Sequence, residues 1–160
     1  MNRRRSAAAL GFVAALTFAG QALAASARDP GDVTLRTLVQ HNGGMRTGSV
    51  RHGNMVKNLG EAVGVFMELE LGRKFGSADH DFHDKAARDA LWAGPTGVGV
   101  SWRNYRTGAT GVVTPRAAAT LEADGDICRL FEDSIVQKSG ETFTRSARVC
   151  LGKDRIWRID

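Results

Sequence analysis

Cys128 and Cys150 are the only cysteines of the chain, and each stands 11 positions from Ser139, at the centre of the turn-forming Lys138-Ser139-Gly140. The runs on either side, Ile127 to Val136 and Glu141 to Leu151, read as strands. Two strands joined by a tight turn set equidistant residues opposite one another. The spacing therefore predicts a hairpin with the two thiols face to face, which a disulfide bridges when the side chains share a face. The rival use of the thiols, a metal site, is poorly supplied, because no histidine follows His83.

A disulfide calls for an oxidising compartment, and the N-terminus carries an address for one. Met1-Asn2-Arg3-Arg4-Arg5 is a basic opening, Ser6 to Ala24 carries no charge, and Ala22-Leu23-Ala24 gives a small-x-small cleavage pattern. That predicts a secretory signal peptide over residues 1–24. The uncharged run of 19 residues is also just long enough for a retained membrane anchor, but polar Gln21 and the small residues at its end favour cleavage. Cleavage changes the meaning of the charge. The whole chain has 22 Lys+Arg against 17 Asp+Glu, a net +5 that invites nucleic acid or an anionic surface. Residues 25–160 lose Arg3, Arg4, Arg5 and no acid, leaving 19 basic against 17 acidic groups. A nucleic-acid role then loses its charge argument and its compartment. No cysteine stands at the cleavage site, so lipid attachment through cysteine is not expected, and the mature chain belongs in the periplasm. With 42% hydrophobic and 24% charged residues, the chain is not disordered throughout.

Residues 25–55 read as an exposed arm with one short ordered segment around Val33 to Val39. A helical segment follows over 56–92. Its first part carries Gly60, Gly64, Gly72 and Gly76 at a spacing of four, with Glu68 in the missing position, a stripe that lets another backbone approach closely. The longest uncharged stretch there, Ala62 to Met67, is too short to span a bilayer, so a soluble amphipathic helix packing Val65, Phe66, Leu69 and Phe75 is expected. Ser77 with Asp79 and Asp81 behind it is expected to cap a second helix, and Gly94-Pro95 to end it. From Gly97 the apolar period changes to two. Val98, Val100 and Trp102 pair with Thr110 to Thr114 as a hairpin, Arg116 to Glu122 is a further strand, and Arg155 to Arg158 the last. The fold class expected is α+β: one or two helices, then a small antiparallel β meander over 96–160, as a sheet, sandwich or partly open barrel with one disulfide.

The run from Asp79 to Asp160 resembles the 17 kDa surface antigen family of Gram-negative bacteria. The resemblance rests on Ala86-Ala87-Arg88-Asp89-Ala90-Leu91, Pro95-Thr96-Gly97, Trp102-Arg103-Asn104, Thr107-Gly108, Gly111-Val112-Val113-Thr114-Pro115, Cys128-Arg129-Leu130-Phe131, and Cys150 with Trp157-Arg158. It covers about half the chain and implies a surface-antigen-like β domain of the outer membrane or periplasm. Such proteins carry a lipid-modified cysteine and a glycine zipper before this domain. Here the cysteine is absent and the zipper is reduced to four glycines; Tyr105 stands in a proline position and Leu151 in an arginine position.

Three constellations bear on chemistry. Asp79 with His83, and His80 with Asp84, are four apart on a helix and could each offer two ligands to zinc, copper or nickel, against the plainer reading of an acid-rich helix start. Arg129, Arg145, Arg148 and Arg158, with Arg155, lie in the meander and would bind an anionic envelope polymer if they share a face; the plainer reading is a solvated face paired with Glu132, Asp133, Glu141 and Asp154. Trp102 and Trp157 serve as aromatic platforms or, more commonly, as core. Nucleophilic catalysis finds little support, since His41 and His52 lie in the arm and both cysteines go to the disulfide. The reading is a non-enzymatic, exported cell-envelope protein with no cofactor, a structural or binding module whose partner is an envelope protein or anionic polymer, with peripheral membrane association as a further expectation. The alternative is a periplasmic metal-binding accessory protein using the His80/His83 cluster.

Overall fold

A computed structural model describes residues 31–43 and 52–160. The signal peptide expected over 1–24 and residues 25–30 and 44–51 of the expected arm lie outside the described residues. Three helices, α1 (Leu35–Gly43), α2 (His52–Leu71) and α3 (Ser77–Ala93), precede six strands: β1 (Val100–Arg103), β2 (Thr110–Pro115), β3 (Thr120–Leu121), β4 (Ile127–Val136), β5 (Thr142–Leu151) and β6 (Trp157–Ile159). The strands form one antiparallel sheet in the order β1-β2-β4-β5-β6, with β3 pairing the start of β4. The sheet is open rather than closed or doubled, and all three helices cover one of its faces.

Strand alternation sorts the residues. On β4, Ile127, Arg129, Phe131, Asp133 and Ile135 point to the helices and are buried, while Leu130 and Val136 on the other face are exposed. Their inward partners include Val113, Ala147, Val149, Leu151 and Trp157, and the helices add Leu59, Val63, Met67, Ala87 and Leu91. Phe66 of α2 meets Phe131 edge-on at 6.3 Å.

Several expectations shift. The segment expected inside the arm is α1, and it is docked rather than exposed: Leu35 and Val39 are buried in the common core. Phe66 and Phe75 pack as expected, but Val65 and Leu69 are 52% and 80% exposed, so the buried face of α2 is rotated toward Leu59, Val63, Met67 and Leu71. The glycines explain the rotation. A Cβ on Gly60 would lie 2.3 Å from the Asp84 carbonyl oxygen, and one on Gly64 would lie 2.2 Å from Asp84 Oδ1, so α3 presses on the glycine side. Gly72 and Gly76 belong to the break between helices instead. Gly76, not Ser77, is the N-cap of α3, with no side-chain capping bond. Gly94 ends α3, its N–H donating to the Ala90 carbonyl.

The strand expected over 116–122 is reduced to Thr120–Leu121, because the main chain before it is engaged elsewhere. Ala119 N–H donates to the Val33 carbonyl at 2.6 Å, and the Ala117 carbonyl accepts from Arg129 Nε at 3.1 Å. Cys128 and Cys150 stand directly opposite each other and are joined by a disulfide, with Cα atoms 4.0 Å apart. Gln137 N–H donates to the Glu141 carbonyl, so alternation along the ladder puts the cysteines at a non-hydrogen-bonded pair, where side chains approach most closely. Gly140, at φ 87°, supplies the left-handed residue that the β4–β5 turn needs. Among the described residues, no helix is long and apolar enough to cross a membrane.

Candidate functional site

The helical start of α3 does not gather its four candidate ligands. Asp79 and His80 turn to different neighbours, while His83 meets Asp84 and reaches on to β4. Asp79 is buried against the β1–β2 turn, accepting from Asn104 Nδ2 at 2.8 Å and Thr107 Oγ1 at 2.6 Å. Asn104 also donates to the Ala78 carbonyl at 2.8 Å, so that turn is tied to the first turn of α3. His80 lies on the Phe75 ring, with centroids 4.7 Å apart, and 3.5 Å from Glu68. His83 is sealed under the sheet, its Nδ1 3.0 Å from Asp84 Oδ1 and its Nε2 2.5 Å from Asp133 Oδ2. Among the described residues no group of three or more His, Cys, Asp or Glu is arranged to hold a metal ion.

Burial works against a charge on His83, but hydrogen bonds to Asp133 and Asp84 and their negative charges outweigh it, and its pKa is raised to about 9. At neutral pH the imidazole is therefore a cation clamped between two carboxylates. Neither His83 nor Asp133 has any side-chain surface in contact with solvent. A group sealed in this way joins α3 to β4 and cannot reach a substrate.

The four arginines do not all share a face. Arg129 points inward, is 1% exposed, and spends its guanidinium on main-chain carbonyls: Nη1 donates to Leu91 O and Nη2 to Gly94 O, each at 2.8 Å. It thereby satisfies the carbonyls left over at the C-terminus of α3, where a cation also suits the helix dipole. Asp32 lies 3.9 Å away and receives hydrogen bonds from Thr96 N and Oγ1, both 2.6 Å. Burial raises the Asp32 pKa, but the Thr96 bonds and the Arg129 charge outweigh it, and the net direction is down. Arg145, also on the helix side, pairs with Glu70 at 3.0 Å. Arg148 and Arg158 lie on the open face and pair with Asp160 and Asp154 respectively. Instead of one anion-binding face, the strand arginines are an internal anchor and three separate ion pairs.

Trp102 and Trp157 are each 6% exposed and belong to the core; Trp102 meets Phe75 and His83 edge-on. Two of the accessible depressions lie at the two ends of the sheet. Beyond β6 is an apolar groove of about 520 Å³, bordered by Val65, Leu69, Ile156 and Ile159. Beside β1 is a cavity of about 330 Å³ between that strand and α3, lined by Phe82, Ala86, Val100 and Trp102.

Sequence reasoning missed Asp133 as the partner of His83, Asn104 and Thr107 as partners of Asp79, and Phe82 as the wall of an accessible cavity. Asp133 left a signal: it occurs at the inward parity of β4, between Phe131 and Ile135, where a charge demands a buried counter-ion. No family model, no curated protein and no solved structure matches the chain.

Proposed function

We propose that this chain is a non-enzymatic protein of the bacterial cell envelope, exported by its N-terminal signal and acting as a binding or structural module in the periplasm or at the outer membrane. The observation that carries the reading is the Cys128–Cys150 disulfide, a bond that persists in an oxidising compartment and is rare in the cytosol. Arg3 to Arg5, the uncharged run to Ala24 and the Ala22-Leu23-Ala24 site support the same destination. The resemblance of residues 79–160 to surface antigens supports an envelope role. The metal-binding alternative has lost its geometric support, since Asp79 and His80 serve separate neighbours and His83 is sealed between Asp84 and Asp133.

Fractionation tests the reading. The chain expressed from its own first codon should be recovered from the periplasm or the outer membrane, beginning at Ala25 and resistant to thiol alkylation until reduced. Recovery solely from the cytoplasm, with both thiols free, would overturn it.

A further inference from the structure

We propose that the free edge of β1, with the α3 face beside it, binds an extended acid-bearing segment of another polypeptide by strand addition. The inference gives the binding module a site and a class of partner. It requires no particular compartment, so a cytoplasmic location would sink the proposed function and leave the groove standing.

The first support is main-chain polarity. Asn104 N–H donates to the Ala109 carbonyl at 2.9 Å, and β1 pairs Trp102 with Gly111 and Val100 with Val113. Antiparallel ladders alternate, so Val100, Trp102 and Asn104 bond inward to β2 while the N–H and C=O groups of Ser101 and Arg103 point out of the sheet. The β2–β4 ladder agrees in phase: Arg116 N–H donates to the Leu130 carbonyl, which assigns Val112 and Thr114 to β4 and leaves Gly111 and Val113 for β1. β1 is terminal in the strand order, and among the described residues no strand lies on its outer side. An added strand finds two donors and two acceptors already aligned.

The second support is shape. Along that edge runs the cavity of about 330 Å³, with Phe82 and Ala86 of α3 on one side and Val100 and Trp102 of β1 on the other. Phe82 is 44% exposed although it sits on the apolar side of this groove. Side chains of an added strand alternate, so every second one enters the cavity and an apolar residue there covers the Phe82 ring.

Charge selects the partner. Arg103 lies over the Tyr105 ring at 5.2 Å, and Tyr105 is itself 83% exposed. Among the described residues neither Arg103 nor the nearby Arg106 forms an ion pair, whereas Asp89 is held by Lys85 at 2.6 Å and by Arg88 at 3.6 Å. The groove's own charges, Asp81 and Asp89 against Lys85 and Arg103, balance, and Arg106, in the adjoining depression beside Asp81, makes this end net positive. A second copy paired antiparallel would set Arg103 against the Val100–Ser101 end of the other strand, which offers it no carboxylate. An acidic strand meets it with opposite charge, and a guanidinium takes a carboxylate through two parallel hydrogen bonds.

The test uses the chain from Ala25 to Asp160 and three fluorescein-labelled probes: the hexapeptide Glu-Val-Glu-Val-Glu-Val, its Lys-Val counterpart, and the acidic peptide with alternate backbone nitrogens methylated. The acidic peptide should bind saturably, and the basic and methylated ones at least about tenfold more weakly. Ser101→Pro removes an outward N–H that the β1–β2 ladder does not use and should cost a similar factor. Arg103→Glu should reverse the preference between acidic and basic peptides. Equal binding of all three probes, or no binding of the acidic one, overturns the proposal. So does slow hydrogen exchange at Ser101 and Arg103 without peptide: protection that grows with protein concentration assigns the edge to a second copy, and protection that does not assigns it to residues of the same chain. If Ser101→Pro fails to fold, the methylated probe asks the same question of the unaltered protein.

Discussion

His83 carries a proton where solvent does not reach, and that proton has a measurable consequence. An ordinary histidine titrates near 6.5, whereas His83 in the folded chain titrates at about 9 because Asp133 and Asp84 hold the cation against the cost of burial. The folded value is the higher one, so this contribution is fully present below about pH 6.5 and is lost as pH rises through about 9. Urea unfolding at pH 6 and pH 9.5 should show stability falling by on the order of 3 kcal/mol across that window. His83→Gln should lower stability at pH 6 and flatten the profile, and a flat profile in the unaltered protein would mean the buried imidazole is neutral. The residue was legible as a helix-start histidine but not as a buried cation, since its partner lies 50 residues away on β4. Arg129 was more legible than it looked: it shares strand parity with Ile127, Phe131 and Ile135, so alternation alone places it among core residues. Grouping arginines by number along the sheet, without regard to parity, put it on an exposed face.

At the scale of elements, α2 and α3 show what a glycine pattern does and does not specify. The spacing of four identified a close contact, and Gly60 and Gly64 make one with Asp84. It could not say which glycines lay outside the helix, and Gly72 and Gly76 fall in the break, where the chain turns from α2 into α3. Nor did the apolar residues decide the face, because α2 has apolar side chains on both sides of the glycine stripe. Gly60 and Gly76 should respond oppositely to substitution, whereas Gly72, at φ 57°, is held by its left-handed backbone. Gly60→Ala gains roughly 1 kcal/mol of helix propensity, but its methyl would sit 2.3 Å from a main-chain oxygen that cannot rotate away. The expected net is destabilisation by about 1–3 kcal/mol through separation of the helices. Gly76→Ser meets open space and supplies the missing N-cap hydroxyl, so it should stabilise by a few tenths of a kcal/mol. Thermal melts of the two variants check both signs; equal effects would show that the α2–α3 contact yields freely.

Across the whole molecule, the helices hold the sheet unevenly. α3 is bonded to β4 through His83 and Asp133, α3's last carbonyls are bonded to Arg129 of the same strand, and the β1–β2 turn is bonded to Asp79. β5 and β6 have fewer such polar ties: Arg145 reaches Glu70 and Lys74 reaches Glu141, both at exposed sites where ion pairs contribute little. The disulfide adds a covalent tie between β4 and β5 at the end of their ladder remote from the turn. Closing a loop with a sequence separation of 22 contributes about 3 kcal/mol in the chain-entropy treatment. The double variant Cys128→Ala/Cys150→Ala should lose about that much in urea unfolding. The loss should also be regional: hydrogen exchange is expected to rise over residues 142–159 while α3, β1 and β2 keep their protection, because their ties to β4 do not pass through the cysteines. Exchange that rises equally everywhere would make the sheet and helices one cooperative unit, with the disulfide stabilising all of it. An unchanged urea midpoint would mean that β5 and β6 are held by burial of Val149, Leu151 and Trp157 alone.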